Sequence, residues 1–373
     1  MTFLIVSHVV HKSVDGKIYG YAPYIKEMNL WITSFSKVIL IAPVLKGVEP
    51  NPIEIPYLHS NLEVRDVAEI DLTKLSHAFN SLLALPLIIL KLAQGMFQAD
   101  HIHLRCPGNM GLLGCFVQIL FPGKKKTAKY AGNWDPISAQ PFTYKLQQRI
   151  LNNPILTRNM KALIYGNWPG LSQNILPFFT ASYSRSEIMD LEKSFPKQGD
   201  TLNLIFVGSL VSGKNPLIVL QTLKLLVDQG FQVYLDVCGN GEQFDILKDF
   251  VEKNGLSPYV SLNGNVNAHE LKKYYQKSHF LIFLSDSEGW PKVVAEAMFF
   301  GCLPLTTSVS CVPDMLGNGE RGDLIRKDPQ QVLKVIEYYF AYPEKYSSKS
   351  KKARIWSNHY TLELFQSEIL KLV

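Results

Sequence analysis

The chain has 373 residues, 47% hydrophobic and 19% charged, which excludes a disordered chain and fits two domains of ordinary size. Its five cysteines (Cys106, Cys115, Cys238, Cys302, Cys311) are odd in number and lack C-x-x-C spacing, which speaks against a disulfide framework and a zinc site and fits a reducing, cytoplasmic compartment. The +6 formal charge lies wholly in the first half, where residues 1–178 carry 17 Lys/Arg against 10 Asp/Glu; no nucleic-acid reader motif accompanies it, so nucleic acid is not an expected partner.

In chain order, "MTFLIVSHVV" reads as a first buried strand and not as a signal peptide, because it has no charged start. Further strands are expected near 38–42, 100–104, 126–130 and 162–165. The apolar runs at 82–90 and 111–122 fall short of the roughly 18 residues a membrane-spanning helix needs. They read as buried helices or as helices resting on a membrane surface. "KKKTAK" at 124–129 reads either as a solvated face or as an attraction for an anionic membrane or acidic acceptor. "HIH" at 101–103 puts two imidazoles on one strand face, but no third ligand is placed, so no metal is expected. "RGD" at 321–323 reads as a turn.

After the polar stretch 184–200 the pattern restarts, with strands expected near 202–207, 231–237, 259–262, 279–284 and 303–306 and a helix over 215–230. Apolar strands alternating with helical patterns in both halves predict two doubly wound, parallel-sheet α/β domains, 1–180 and 181–355.

Parallel sheets bind ligands beyond the carboxyl ends of their strands, and three strand ends of the second half carry unusual loops. In "LIFVGSLVSGKNP", Asn215 is expected to cap a helix opened by Pro216, with Lys214 beside free N–H groups that seat a phosphate. Gly208, Gly213 and Lys214 match G-x-x-x-x-G-K, but Asn215 replaces the Ser or Thr that a nucleoside-triphosphatase loop needs for magnesium. In "YLDVCGNGEQF", Gly239 and Gly241 would let the backbone approach a ligand, or simply make a tight turn.

"LIFLSDSEGWPKVVAEAMFFG" is the most informative loop. A helix beginning at Pro291 and ending at Gly301 sets Glu296 roughly 130° from the Val293/Val294/Ala297/Met298 stripe, on the flank near the N-terminal end. Glu288 precedes it in the loop, following Ser285. Two carboxylates there suit a hydroxyl-rich ligand, since each accepts several hydrogen bonds.

These residues resemble the retaining glycosyltransferases of family 4, which have the GT-B architecture of two Rossmann-like domains facing a cleft. Glu288, Gly289, Glu296, Ala297, Met298 and Gly301 stand where the family's E-x7-E segment has them, and Lys214 is in register with its phosphate loop. The resemblance covers 202–325 and extends loosely to a closing helix, 356–373, that packs back on the first domain. "KYAGNWDP" and "PFFTASY" resemble a subgroup acting on bacterial surface polysaccharides.

The resemblance implies a nucleotide-diphosphate sugar as donor, no obligatory metal or cofactor, and a glycan or lipid-linked acceptor at the cytoplasmic membrane surface. It implies catalytic roles for Glu288 and Lys214: Lys214 on the diphosphate and Glu288 on the donor sugar. Glu296 would bind the ribose hydroxyls, and backbone near Gly264 and Val266 the base. Gly208, Ser209, Gly239, Gly241, Ser285 and Gly289 would line the donor, with Gly16 and Gly20 in the turn after the first strand closing over the phosphates.

Two departures stand out. Ser209 occupies the place of the family's phosphate-loop Arg, which makes Arg105 and Lys292 candidates for a second cation. The family's first-domain His is absent, which leaves Asn133 or Asp135 as sugar contacts. Two other functions stay open: nucleotide-sugar binding without transfer, and a P-loop-like nucleotide hydrolase.

Overall fold

The computed structural model describes residues 1–51, 53–70, 75–190 and 192–373, which form two compact units: Met1–Thr180 with Phe365–Val373, and Ala181–Leu364.

The first unit starts with β1 (Thr2–Val6), followed by a hairpin of β2 (His11–Val14) and β3 (Lys17–Tyr21) and by α1 (Ala22–Trp31). Asp15 and Gly16 turn the hairpin with φ of 49° and 71°, the left-handed pair that a two-residue turn needs between twisted strands. Then come β4 (Lys37–Ala42), β5 (Val44–Lys46), β6 (Glu54–Pro56), β7 (Leu62–Asp66), α2 (Leu75–Gln98), β8 (His101–Cys106), α3 (Asn109–Val117), β9 (Lys125–Tyr130), α4 (Phe142–Leu151), β10 (Met160–Ile164) and β11 (Ile175–Pro177). A seven-stranded parallel sheet has the order β11-β10-β9-β8-β1-β4-β7, and β5-β2-β3-β6 make a smaller second sheet.

The central strands are covered on both faces, so they read as unbroken apolar runs. Leu4, Val6, Ile39, Ile41, Ile102 and Leu104 pack with Ile88, Leu92 and Met96 of α2. From β1 the chain runs to β4 on one side and later returns to β8 on the other. The topological switch point therefore lies between β1 and β8.

The second unit runs β12 (Leu202–Val207), α5 (Pro216–Asp228), β13 (Val233–Cys238), α6 (Phe244–Lys253), β14 (Val260–Leu262), α7 (Ala268–Lys277), β15 (Phe280–Phe283), α8 (Lys292–Phe299), β16 (Leu303–Thr306), α9 (Val312–Met315), β17 (Asp323–Leu324), α10 (Pro329–Ala341) and α11 (Pro343–His359). Its parallel sheet has the order β14-β13-β12-β15-β16-β17. The switch point falls between β12 and β15, and the loops leaving these two strands are 208–215 and 284–291. A last helix, α12 (Leu362–Leu370), follows, with Phe365 packed on Phe178 and Phe179 of the first unit.

Three expectations change. Residues 356–373 are not one helix, because α11 continues to His359 before α12 begins. The run 82–90 is only half buried: Ile88 faces the core, while Leu82, Leu83, Leu87 and Leu90 stand outward on α2. No helix among the described residues is long and apolar enough to cross a membrane. The "KKKTAK" run is not a solvated face either. Lys126 and Lys129 are buried, and Lys124 donates to the carbonyls of Phe97 and Ala99, so only Lys125 is exposed.

Candidate active site

In the second unit the loops after β12 and β13 are built on one another. The Gly208 N–H donates to Cys238 O, Leu210 N–H to Asn240 O, and Gln243 N–H back to Leu210 O, all at 3.0 Å. A Cβ at Gly239 would stand 1.8 Å from Gly208 O, and one at Gly241 would stand 2.5 Å from Leu210 O. Loop-on-loop packing thus requires glycine at 239 and 241, in line with the tight-turn reading. Gly239 N–H also reaches Gly264 O at 2.7 Å, which brings the turn with Gly264 (φ 62°) and the half-buried Val266 into the same cross-braced set. Ser209 is exposed.

The loops at the switch point are joined more tightly. Asn215 stands at the N-cap position with a left-handed φ of 53°, but its side chain does not cap α5, contrary to expectation. Its amide donates to Leu284 O at 2.7 Å and to Asp286 Oδ1 at 2.9 Å, tying one loop to the other. Pro216 opens α5 as expected. Asp286 N–H donates to Gly213 O, and Lys327 pairs with the Asp286 carboxylate at 2.6 Å, which holds its pKa below the usual aspartate value. Ser285 is buried; its carbonyl accepts from Thr307 Oγ1 at 2.6 Å, and Gly289 O accepts from Ser310 Oγ at 3.0 Å and from the Cys311 thiol.

This frame holds Lys214 and Glu288 as a hydrogen-bonded ion pair, with side chains 25% and 13% exposed, and the Lys214 ammonium stands 5.3 Å over the Phe283 ring. The pair is partly open to solvent at the carboxyl edge of the sheet. It combines a cation able to meet a phosphate with a carboxylate able to meet a hydroxyl.

Glu296 is the fifth of the eight residues of α8, in its middle and not near its start, which corrects the expected placement. It is half-buried. Ser182 Oγ donates to Oε1 at 2.5 Å and Tyr275 OH to Oε2 at 3.1 Å. Burial, and then the charge of Glu296, push the Tyr275 hydroxyl well above its ordinary pKa, so it remains a donor. The carboxylate keeps lone pairs for further donors. Sequence reasoning gave neither Ser182 nor Tyr275 a role; Ser182 lies in the "PFFTASY" stretch, and nothing local marked Tyr275, the buried position of α7. Lys292 is the first residue of α8 and is half-buried.

In the first unit, Gly16 is the exposed tip of the hairpin. Gly20 lies inside β3 and not in the turn after the first strand, and a Cβ there would meet Ile25 at 3.0 Å and His11 at 3.2 Å. Arg105 is the last residue but one of β8, at the switch point; its guanidinium stacks 5.2 Å over Tyr24, and one of its nitrogens is buried without a hydrogen-bond partner. His8, following β1, keeps part of its surface in solvent, yet desolvation and then Arg105 lower its pKa to about 4. Asn133 is buried, with Oδ1 accepting from Asp135 N–H at 3.0 Å, while Asp135 Oδ1 accepts from Ile137 N–H at 3.0 Å. Both side chains shape their own turn. Among the described residues no group of three or more His, Cys, Asp or Glu could hold a metal ion.

Residues 188–356 match the family model described as Glycosyl transferases group 1. That stretch contains Lys214, Glu288 and Glu296. The chain is 28% identical over 164 residues to an uncharacterized glycosyltransferase of Haemophilus influenzae, covering 43% of this chain and 45% of that protein. It is 27% identical over 131 residues to the capsular polysaccharide biosynthesis glycosyltransferase CapH of Staphylococcus aureus, covering 34% of this chain and 36% of that protein. The alpha-monoglucosyldiacylglycerol synthase of Acholeplasma laidlawii matches at 22% over 200 residues, 52% of this chain and 48% of that protein. The chain thus spans less than half the length of each curated relative it matches.

Among solved structures, Anabaena HepE in complex with UDP-glucose superposes with a TM-score of 0.68 at 13% identity, covering 100% of this chain and 98% of that one. Sucrose-phosphate synthase from Thermosynechococcus elongatus gives 0.67 at 15%, also covering 100% and 98%. The fold is the GT-B fold of two Rossmann-like domains, and the matched stretch is related to glycosyltransferases.

Proposed function

We propose that the protein is a retaining glycosyltransferase of family 4 that moves a sugar from a nucleotide-diphosphate donor to a glycan or lipid-linked acceptor in surface-polysaccharide synthesis. The observation that carries this reading is the Lys214–Glu288 pair, set at the switch point of the sheet within the stretch that matches the family model. In this mechanism Lys214 swings to the diphosphate and stabilises the charge that develops as the bond from the anomeric carbon to the phosphate oxygen breaks. An acceptor hydroxyl attacks on the same face, its oxygen bonds to the anomeric carbon, and its proton passes to the departing diphosphate. Glu288 takes hydrogen bonds from donor-sugar hydroxyls and Glu296 from the ribose.

Within the first unit Arg105, stacked on Tyr24, keeps one nitrogen without a hydrogen-bond partner, a donor suited to an anion. The reaction is assigned to the cytoplasmic face of a membrane, a placement supported by the outward leucines of α2 and the five free, buried cysteines.

The test is a panel of nucleotide sugars with acceptor extracts. A nucleotide sugar bound by the wild type, with transfer to an acceptor that is lost in Glu288→Ala, supports the proposal. Binding with no product on any extract assigns the chain as a nucleotide-sugar-binding protein instead. Magnesium-dependent ATP turnover abolished by Lys214→Ala would assign it as a P-loop-like hydrolase.

A further inference from the structure

A cavity of about 710 Å³ opens in the first unit at the amino ends of β9 and β10, the edge opposite Arg105 and Asn133. Four cations line it: Lys125 and Lys126 from the start of β9, Arg158 just before β10, and Lys161 within β10. No carboxylate side chain is in the lining, and among the described residues none pairs with Lys125, Arg158 or Lys161. These three are exposed to solvent. Lys126 is buried and its ammonium is spent inward, on Gln118 Oε1 at 2.8 Å, Gln118 O at 3.2 Å and Phe121 O at 3.0 Å. It therefore adds a fixed charge behind the other three.

The walls are held by bonds that do not involve these cations. Asn174 donates to Leu151 O at 2.8 Å and to Thr157 Oγ1 at 3.0 Å, and Asn159, in the left-handed region at φ 59°, donates to Pro122 O at 2.9 Å. Parallel register aligns Lys126 with Met160 and Thr127 with Lys161, so Lys125 and Lys161 come from adjacent strands. Like charges gathered in this way repel unless an anion joins them. A guanidinium beside ammonium groups matches a phosphate, which takes two parallel N–H bonds from Arg and point charges from Lys. The lining holds no aromatic ring on which a nucleobase could stack, which disfavours single-stranded nucleic acid as the occupant.

We propose that this cavity is a binding site for a phosphate-bearing anion, either the headgroup of an anionic phospholipid or a free phosphate chain. The site is built wholly from residues of the first unit and does not depend on the proposed transfer reaction.

The experiment uses the full chain and the double variant Arg158→Gln/Lys161→Gln, with melting curves to confirm that both fold. Calorimetry with tripolyphosphate and flotation with phosphatidylcholine vesicles, with and without phosphatidylglycerol, are run at low and high salt. The wild type is expected to bind at least one probe, more weakly as salt rises, and the double variant to bind at least about tenfold more weakly. Binding to phosphatidylglycerol vesicles that tripolyphosphate does not displace assigns the lipid headgroup. Displacement, or binding of tripolyphosphate alone, assigns the free phosphate chain. Failure of the folded wild type to bind either probe overturns the proposal, and so does equal binding by the folded double variant.

Discussion

Lys214 and Glu288 neutralise one another, so a diphosphate that arrives at Lys214 competes with a carboxylate on the neighbouring loop. Removing that carboxylate has opposite effects on binding and on transfer. Glu288→Gln is expected to tighten a nucleoside diphosphate about threefold or more while lowering transfer about a hundredfold, since the sugar loses its carboxylate partner. Lys214→Ala is expected to weaken the same nucleotide by about ten- to a hundredfold, the worth of a charge-assisted bond. Calorimetry on the variants reads these directly, and a nucleotide that binds all three proteins alike would remove Lys214 from the phosphate. Glu296 carries a related test. Tyr275→Phe takes away one of its two fixed donors and is expected to raise donor KM about tenfold with kcat nearly unchanged, because the loss concerns positioning of the ribose partner. That Lys214 and Glu288 share one edge of the sheet was legible in the sequence, because both follow apolar runs that read as strands of one parallel sheet; their ion pair was not, since β13 and β14 intervene in the chain between the neighbouring strands β12 and β15. The Ser182 contact to Glu296 was not, since it joins residues 114 apart through a tertiary approach that no local pattern encodes.

At the scale of the element, the loops after β12 and β13 behave as one body. Gly239→Ala places a methyl where Gly208 O already stands, so one loop must move. The expected cost is about 3 kcal/mol of stability, seen as a fall of several degrees in the melting of the second unit. The loss should be the same with and without nucleotide; a variant of native stability that had lost only ligand affinity would assign Gly239 to ligand approach instead. Buried strands such as β1, β4, β12 and β15 were legible because two covered faces force continuous apolar runs. The strands β2, β3, β7 and β11 were not, since they are short and half exposed and mix Lys, Ser, Glu and Pro with their apolar residues. The Asp15-Gly16 turn was the one local sign of the hairpin. The lysine run at 124–129 misled for the converse reason: a strand buried on both faces can still carry lysines whose ammonium groups find carbonyls inside, as Lys126 does at Phe121 O and Lys129 at Phe179 O.

Across the whole molecule, buried histidines are unevenly shared, and the two units should respond differently to acid. In the first unit His11 and His101 are buried with pKa values pulled down to about 4 by desolvation, and His103 lies well below its ordinary value. His101 Nε2 and His103 Nδ1 share the single hydroxyl of Thr127, each at 2.9 Å, and their other ring nitrogens are buried without partners among Phe3, Trp31 and Phe35. A proton on either ring would find no acceptor, and Arg105, Lys125 and Lys129 oppose it while only Glu27 favours it. Among the described residues the second unit has one comparable group, His279, also lowered to about 4. The unfolded chain takes up these protons near pH 6.5, but the fold resists them until about pH 4. The stability they contribute is therefore intact above pH 6.5 and is lost as pH falls toward 4, by up to about 3 kcal/mol per fully buried imidazole. The first unit is expected to unfold first on acidification, as an early loss of amide protection in β1, β8 and β9 while β12 and β15 stay protected. His103→Gln should flatten the pH dependence of the first unit even where it lowers stability at neutral pH. Simultaneous loss of protection in both units, or a variant with an unchanged acid profile, would count against the histidine account.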